Sequence, residues 1–175
     1  MYSHCNGKTT TYVLLLLSGV IFAVALAGCG KSADDQYIEG KACLLNEETF
    51  ESGVEMLRKF VKRFPEDPRA SEVLLAIATG YQSHKNFAQA EESYTSLIDK
   101  YPDTAESYKG LFLLGYMYYE DVRDNAKAQE ALKRFIETYP DSELTVSARV
   151  LVENIGLPIE EWSIIRSLNS NGNEN

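Results

Sequence analysis

Residues 128–140 read AQEALKRFIETYP, and the same pattern occurs twice earlier, as AEESYTSLIDKYP at residues 90–102 and GVEMLRKFVKRFP at residues 53–65. The closing prolines are therefore 37 and 38 residues apart. Each copy opens on a small residue and carries apolar residues at positions i, i+3, i+4 and i+7, which is the stripe of an amphipathic helix. The sequence thus predicts three equivalent helices, each ending at a proline that cannot continue it.

A second helix is predicted ahead of each copy. Thirteen residues after the first two prolines lie the small residues Ala78 and Gly115, and Gly40 precedes the first copy in the same frame. A small residue lets a neighbouring helix approach closely. After Pro140 the same offset lands on Glu153, which predicts an incomplete last unit. Helix starts are predicted at Asp67-Pro68 and at Asp103-Thr104-Ala105-Glu106, where a cap acceptor precedes a proline or a glutamate.

This arrangement resembles the tetratricopeptide repeat family, whose repeats place Leu-Gly and Tyr on the first helix and Ala, an apolar residue and Pro on the second. Leu114-Gly115, Tyr118, Ala128, Leu132 and Pro140 occupy those places. The resemblance implies an all-α fold, an α-solenoid of antiparallel helical hairpins over residues 35–168, and a groove that holds a peptide or partner helix. The expected parts are hairpins at about 35–65, 69–102 and 104–140, a half repeat at 142–155, a capping helix at 158–168 and a disordered tail at 169–175.

The N-terminal residues have the form of a secretion signal. An apolar run of 14 residues, Tyr12 to Ala25, is shorter than the roughly 20 residues that span a bilayer as a helix. It is followed by Leu26-Ala27-Gly28-Cys29, which resembles the lipobox of bacterial lipoproteins. That resemblance implies a signal peptide at 1–28, lipid attachment at Cys29 and a tether at 29–34. The alternative is an uncleaved membrane anchor in which Cys29 is incidental.

Charge and residue inventory argue against several function classes. Removing residues 1–28 takes away one lysine, which leaves 16 basic and 26 acidic residues and a net charge of about −10. An acidic chain is a poor ligand for nucleic acid or for anionic lipid surfaces. His84 is the one histidine after the signal, and no nucleophile, metal or phosphate-binding motif can be assembled. We therefore expect a protein that is not an enzyme and needs neither cofactor nor metal. Because Cys5 leaves with the signal and Cys29 is expected to be lipidated, we expect Cys43 to form no intramolecular disulfide.

The candidate partner-binding residues form one stripe on the helix predicted at 104–120. They are spaced four, four and three residues apart: Tyr108, Phe112, Tyr116 and Tyr119. Tyrosine offers a large contact area with a polar tip and is enriched at interfaces. The alternative is that the stripe packs against a neighbouring hairpin. Trp162, with Ile159 and Ile165, poses the same choice between capping the core and docking a partner.

The lipobox together with the Tyr-Pro-Asp repeats resembles the BamD-like lipoproteins of outer-membrane β-barrel assembly, and the repeats alone also resemble those of CpoB, which is associated with Tol-Pal and division. These resemblances imply a lipid-anchored scaffold that binds other envelope proteins. Gly30, in place of the aspartate of inner-membrane retention, favours the outer membrane facing the periplasm. A Tol-Pal or peptidoglycan adaptor and a peptide- or solute-binding lipoprotein remain the alternatives. The six-residue tether from Cys29 to Asp35 reaches roughly 20 Å, so we expect the first hairpin to lie close to the membrane.

Overall fold

The computed structural model describes residues 31–158, 161 and 162. The signal peptide, Cys29, most of the expected capping helix with Ile159 and Ile165, and the expected tail lie outside these residues. Within the described part the chain forms helices and turns but no strand. The α-helices are α1 (Ala33–Leu44), α2 (Phe50–Arg63), α3 (Ala70–Ser83), α4 (Phe87–Lys100), α5 (Ala105–Met117), α6 (Asn125–Thr138) and α7 (Thr145–Asn154), and there are also a 3-10 turn, Glu47–Thr49, and a π-helical turn, Tyr118–Val122.

Consecutive helices pack against each other in pairs. The most extensive contacts join α1 with α2, α3 with α4, and α5 with α6, and α4 and α7 pack against the hairpins beside them. Short connections between packed helices make each pair an antiparallel hairpin. The predicted all-α repeat of helical hairpins is therefore confirmed. No helix of the described residues is long and apolar enough to span a bilayer.

The second helix of each hairpin buries the stripe that the repeat predicts. Leu57, Tyr94 and Leu132 occupy equivalent positions in α2, α4 and α6, and all three are fully buried. The next position of the stripe is equally buried in all three copies, as Phe60, Leu97 and Phe135. Burying a side chain of this size contributes about 1.5 to 3 kcal/mol, so these repeated positions supply much of the core.

The small residues of the first helices lie where the second helix approaches most closely. A Cβ atom added to Gly40 would lie 2.6 Å from Cγ of Leu57, and one added to Gly115 would lie 2.7 Å from Cγ of Leu132. Both distances are too short for van der Waals contact. A larger residue at either position would therefore force the facing leucine to move, although the equivalent position in α3 accommodates Ala78.

The loops of the second and third hairpins repeat one backbone device. Lys85 and Arg123 both have left-handed φ angles, 57° and 62°. Each is followed by a cap residue, Asn86 or Asp124, whose side chain accepts a hydrogen bond from an N–H in the first turn of the next helix. The left-handed residue turns the chain, and the cap then starts the second helix of the hairpin.

Two predicted helix starts need correction. The cap of α5 is Thr104, which accepts from the N–H of Ser107 at 3.2 Å, and Asp103 lies one residue before it. Glu106 is then the second helical residue and not the third, so it does not complete a capping box. Its carboxylate accepts a hydrogen bond from the Ser71 hydroxyl on α3 at 3.1 Å. The helix after Pro68 begins only at Ala70, and Asp67 caps the backbone N–H of Arg69 at 2.9 Å.

The last helix, α7, keeps the register that the proline spacing predicts. It begins at Thr145, five residues after Pro140, as α3 begins at Ala70, five residues after Pro65. Glu153 therefore lies at the predicted position, and it is exposed. A charged residue fits there because no second helix of the described residues packs against it.

The Tyr-Pro motif has a structural role that links successive hairpins. The Tyr101 hydroxyl donates to the carbonyl oxygen of Pro65 at 3.0 Å, and the Tyr139 hydroxyl donates to that of Pro102 at 3.1 Å. Each tyrosine thereby bonds the proline of the preceding copy. The first copy has Phe64 at this position, where no earlier Tyr-Pro copy exists to supply a carbonyl.

Candidate partner-binding site

The aromatic stripe lies along α5 and continues onto the π-helical turn that follows it. Tyr108, Phe112 and Tyr119 are half-buried, whereas Tyr116 is 39% exposed. A separate face of α5 and of the π-helical turn carries Leu111, Leu114 and Tyr118, which are all buried. The predicted separation of the two faces is therefore present.

The first half of the stripe packs within its own hairpin. The rings of Tyr108 and Phe112 lie 6.0 and 5.5 Å from that of Phe135, which is fully buried in α6. Tyr108 also donates its hydroxyl proton to Glu143 at 3.2 Å, in the turn before α7. Burial, followed by the hydrogen bond to Glu143, raises the pKa of Tyr108, so the hydroxyl remains a neutral donor. These two residues join helices to each other.

The second half of the stripe is more open. The rings of Tyr116 and Tyr119 are 6.4 Å apart, and Tyr119 lies 6.5 Å from the ring of Trp162. The indole N–H of Trp162 donates to the carbonyl of Leu157 at 3.3 Å, which holds the ring near the end of α7. Tyr116 therefore presents its ring and hydroxyl beside an aromatic surface that continues to Trp162. We call Tyr116, Tyr119 and Trp162 the open aromatic cluster.

A cavity of about 600 Å³ lies at the start of α5. Its walls are formed by the two Tyr-Pro turns, and Tyr108 and Tyr139 supply aromatic surface. Asp103, Asp141 and Glu143 line the same cavity, so its rim is acidic. A cavity of this character can accept an apolar group beside a cation, which is chemistry for binding a peptide segment.

Two side-chain clusters could not be predicted from the sequence, because they join residues that are far apart in the chain. Arg69 bonds Asp34 and Asp67, each at 2.8 Å, and its guanidinium lies 4.7 Å from the ring centroid of Tyr37. This cluster joins the first two hairpins. Asp34 and Arg69 are 35 residues apart, so the periodicity of a single helix cannot predict their contact.

The second cluster is a cavity between α2 and α4 that is lined by the basic residues Arg58, Lys62 and Lys100.

The histidine and the buried cysteine have structural surroundings. The His84 ring stacks on Phe50 with centroids 4.1 Å apart, and its Nδ1 lies 2.8 Å from the carbonyl oxygen of Gly80. Cys43 is buried beside the close approach at Gly53. The described residues include no group of three or more His, Cys, Asp or Glu side chains that could hold a metal ion.

Comparison with known proteins bears on the whole repeat region. A family model described as outer membrane lipoprotein, YfiO, matches residues 30–157. A search of curated proteins gave no match. The matched span includes every helix described above and excludes the N-terminal apolar run.

Proposed function

Because the chain belongs to the YfiO family of outer membrane lipoproteins, we propose that it is a non-catalytic, lipid-anchored scaffold that binds other envelope proteins during assembly of outer-membrane β-barrel proteins. The family supports an envelope location and a role in assembly. The fold supports binding as the activity, since stacked helical hairpins present extended surfaces. We propose that the repeat domain lies on the periplasmic side of the outer membrane.

The proposed anchor is Cys29, lipidated after removal of residues 1–28. Only four residues of chain lead from Cys29 to Ala33, the first residue of α1. Even fully extended they reach roughly 13 Å. A lipid anchor on so short a tether keeps the repeats near the bilayer, which suits a scaffold for proteins that arrive at or sit in the membrane.

The observation that carries the binding role is the open aromatic cluster. Tyr116 is exposed beside Tyr119, and exposed tyrosines can anchor a partner through ring contact and a hydroxyl hydrogen bond. Tyr108 and Phe112 would support this surface from beneath through their contacts with Phe135. The proposal therefore places partner contact on the second half of the predicted stripe and structural support on the first half.

The test is a pulldown of the tagged full-length protein from crosslinked envelopes, compared with Tyr116→Ala and with Ile38→Ala as an exposed control on α1. We expect the native protein and the control to recover a β-barrel assembly protein, and Tyr116→Ala to lose it while melting at the same temperature. Recovery of Tol-Pal or peptidoglycan proteins instead would replace the proposal with the adaptor role.

Anchoring is tested separately with Cys29→Ser. We expect the native chain in the outer-membrane fraction and the variant in the soluble periplasmic fraction. A variant that remains in the membrane would overturn lipid attachment at Cys29 and support an uncleaved apolar anchor.

A further inference from the structure

A cavity of about 410 Å³ opens between the second helices of the first and second hairpins. Three cationic side chains line it, Arg58 and Lys62 from α2 and Lys100 from α4, against one carboxylate, Glu92. The local balance is thus positive in a chain whose net charge is −9. None of the motifs that predict the fold accounts for this concentration of positive charge.

The three cations of this cavity form no ion pair with the carboxylates of the described residues. Among the residues that the structure describes, no salt bridge involves Arg58, Lys62 or Lys100. The Arg58 guanidinium donates to the Gln89 side chain at 3.2 Å and lies 5.9 Å from the Tyr81 ring centroid, both uncharged groups. Those contacts hold the guanidinium in place without pairing it with a carboxylate. A positive, partly enclosed surface concentrates anions.

The equivalent groove between α4 and α6 is built differently. There Lys127 lies 3.2 Å from both carboxylate oxygens of Glu91, and 5.0 Å from the Tyr118 ring centroid. Glu130 and Arg134 line the same groove, which adds one charge of each sign. In the next copy of the repeat, Arg58, Lys62 and Lys100 are replaced by Thr95, Asp99 and Thr138, so the second boundary lacks all three cations. The positive charge is particular to the first boundary and does not follow from the repeat itself.

The floor of the positive cavity is apolar. Val61 and Leu74 lie beneath the cations with 6% of their surface exposed, and Pro65 forms part of the wall. The Tyr101 hydroxyl is already bonded to the Pro65 carbonyl, which fixes that side. An occupant must therefore bring negative charge to the rim and a small apolar group to the floor.

We propose that this cavity binds an acidic peptide segment of a partner protein, with a carboxylate held between Arg58, Lys62 and Lys100 and a neighbouring apolar side chain on Val61 and Leu74. Arg58 would orient the bound carboxylate, because its planar guanidinium can bond a carboxylate through two N–H groups. The surface lies on α2 and α4, away from the open aromatic cluster. The inference adds a second binding surface to the proposed scaffold and does not depend on which complex the scaffold serves.

The test uses the purified full chain in detergent and a fluorescein-labelled peptide of alternating glutamate and leucine. Anisotropy at low ionic strength gives the Kd for the native chain, for Lys62→Glu/Lys100→Glu, and for the control Lys133→Glu/Arg134→Glu, which changes the charge equally on α6. We expect the Kd to rise about tenfold in the first variant and less than about twofold in the control. A photoreactive group on the peptide should crosslink to residues 58–65 and 92–101.

Equal weakening in both double variants, or no binding by the native chain, would overturn the inference. Binding of phosphatidylglycerol vesicles that depends on Lys62 and Lys100, without peptide binding, would replace the peptide by a lipid headgroup. The envelope pulldown reports separately on the open aromatic cluster. A failure there, with intact peptide binding, would contradict the proposed scaffold surface and leave this cavity in place.

Discussion

The Ser107 hydroxyl is an isolated polar group in the core. The side chain is fully buried, and its oxygen has no hydrogen-bond partner among the described residues. At the equivalent position 37 residues earlier, α3 has Ala70, which is also fully buried. Burying an unpaired hydroxyl costs free energy that an alanine avoids. At this position, therefore, the residue in α5 packs less favourably than its equivalent in α3.

Ser107→Ala should therefore raise the free energy of unfolding by about 1 kcal/mol, measured by urea denaturation. The backbone N–H of residue 107 keeps its bond to Thr104. Ser52→Ala, at an exposed position in α2, is the control for helix propensity alone. A gain no larger than that of the control would show that the Ser107 hydroxyl has a partner in solution.

Lys85 adopts a backbone conformation that is unfavourable for any residue with a Cβ atom. Its φ of 57° is in the left-handed region, which costs a residue with a Cβ atom about 1 kcal/mol. Lys85→Gly should therefore stabilise the protein by up to about 1 kcal/mol, read as a higher urea midpoint. Lys85→Ala keeps the Cβ atom and should give no gain. Equal effects of the two substitutions would place the cause in the lysine side chain.

At the scale of the helices, the Tyr-Pro motif has two functions that sequence alone does not separate. Proline ends the second helix, whereas the tyrosine hydroxyl bonds the carbonyl of the preceding copy. The repeat predicts the first function, since proline cannot continue a helix. The second depends on the distance between hairpins, which only packing sets. Phe64 in the first copy agrees with it, because a hydroxyl there would have no earlier proline to bond.

Tyr139→Phe should lower the free energy of unfolding by about 0.5 to 1 kcal/mol, because it removes the bond to Pro102 and leaves the ring in place. Tyr101→Phe should have a similar effect through Pro65. Phe64→Tyr is the matched reverse substitution, and we expect no gain from it. Stabilisation by Phe64→Tyr would show that the hydroxyl acts through water or another group.

At the scale of the whole described domain, each hairpin depends mainly on its neighbours, so a single junction can limit stability. The junction of the first two hairpins is polar. Arg69 bonds Asp34 and Asp67, while Glu72 accepts hydrogen bonds from Lys41 and the Tyr37 hydroxyl, each at 2.9 Å. Exposed ion pairs contribute little individually. At this junction several ion pairs lie together beside aromatic rings. Protonation of their carboxylates should therefore weaken the junction.

Acid should weaken this junction over a defined range. Hydrogen bonds from the Arg69 side chain, and then from its backbone N–H, lower the pKa of Asp67 from 3.8 to about 2. A lowered pKa contributes stability above the unfolded value, and that stability is lost as pH falls through the folded one. The loss should occur between about pH 4 and pH 2.

Urea midpoints of the native chain and of Asp67→Asn, measured from pH 7 to pH 2, test this prediction. We expect the variant to be less stable at pH 7 and to converge with the native chain near pH 2. Asp99→Asn, at an exposed position in α4, should follow the native curve throughout. Parallel curves for Asp67→Asn and the native chain would contradict a role for Asp67 in acid sensitivity.

The sequence by itself determined the all-α repeat, the buried stripes of α2, α4 and α6, and the small residues at Gly40 and Gly115. These follow from periodicity within one helix and from copies at a fixed spacing, so local information is enough. Tertiary structure decided the capping residue of α5, the division of the α5 stripe into packed and open halves, and which groove keeps its positive charge. Periodicity shows that a helix has a face, but only packing brings residues from distant parts of the chain together to cover or neutralise it.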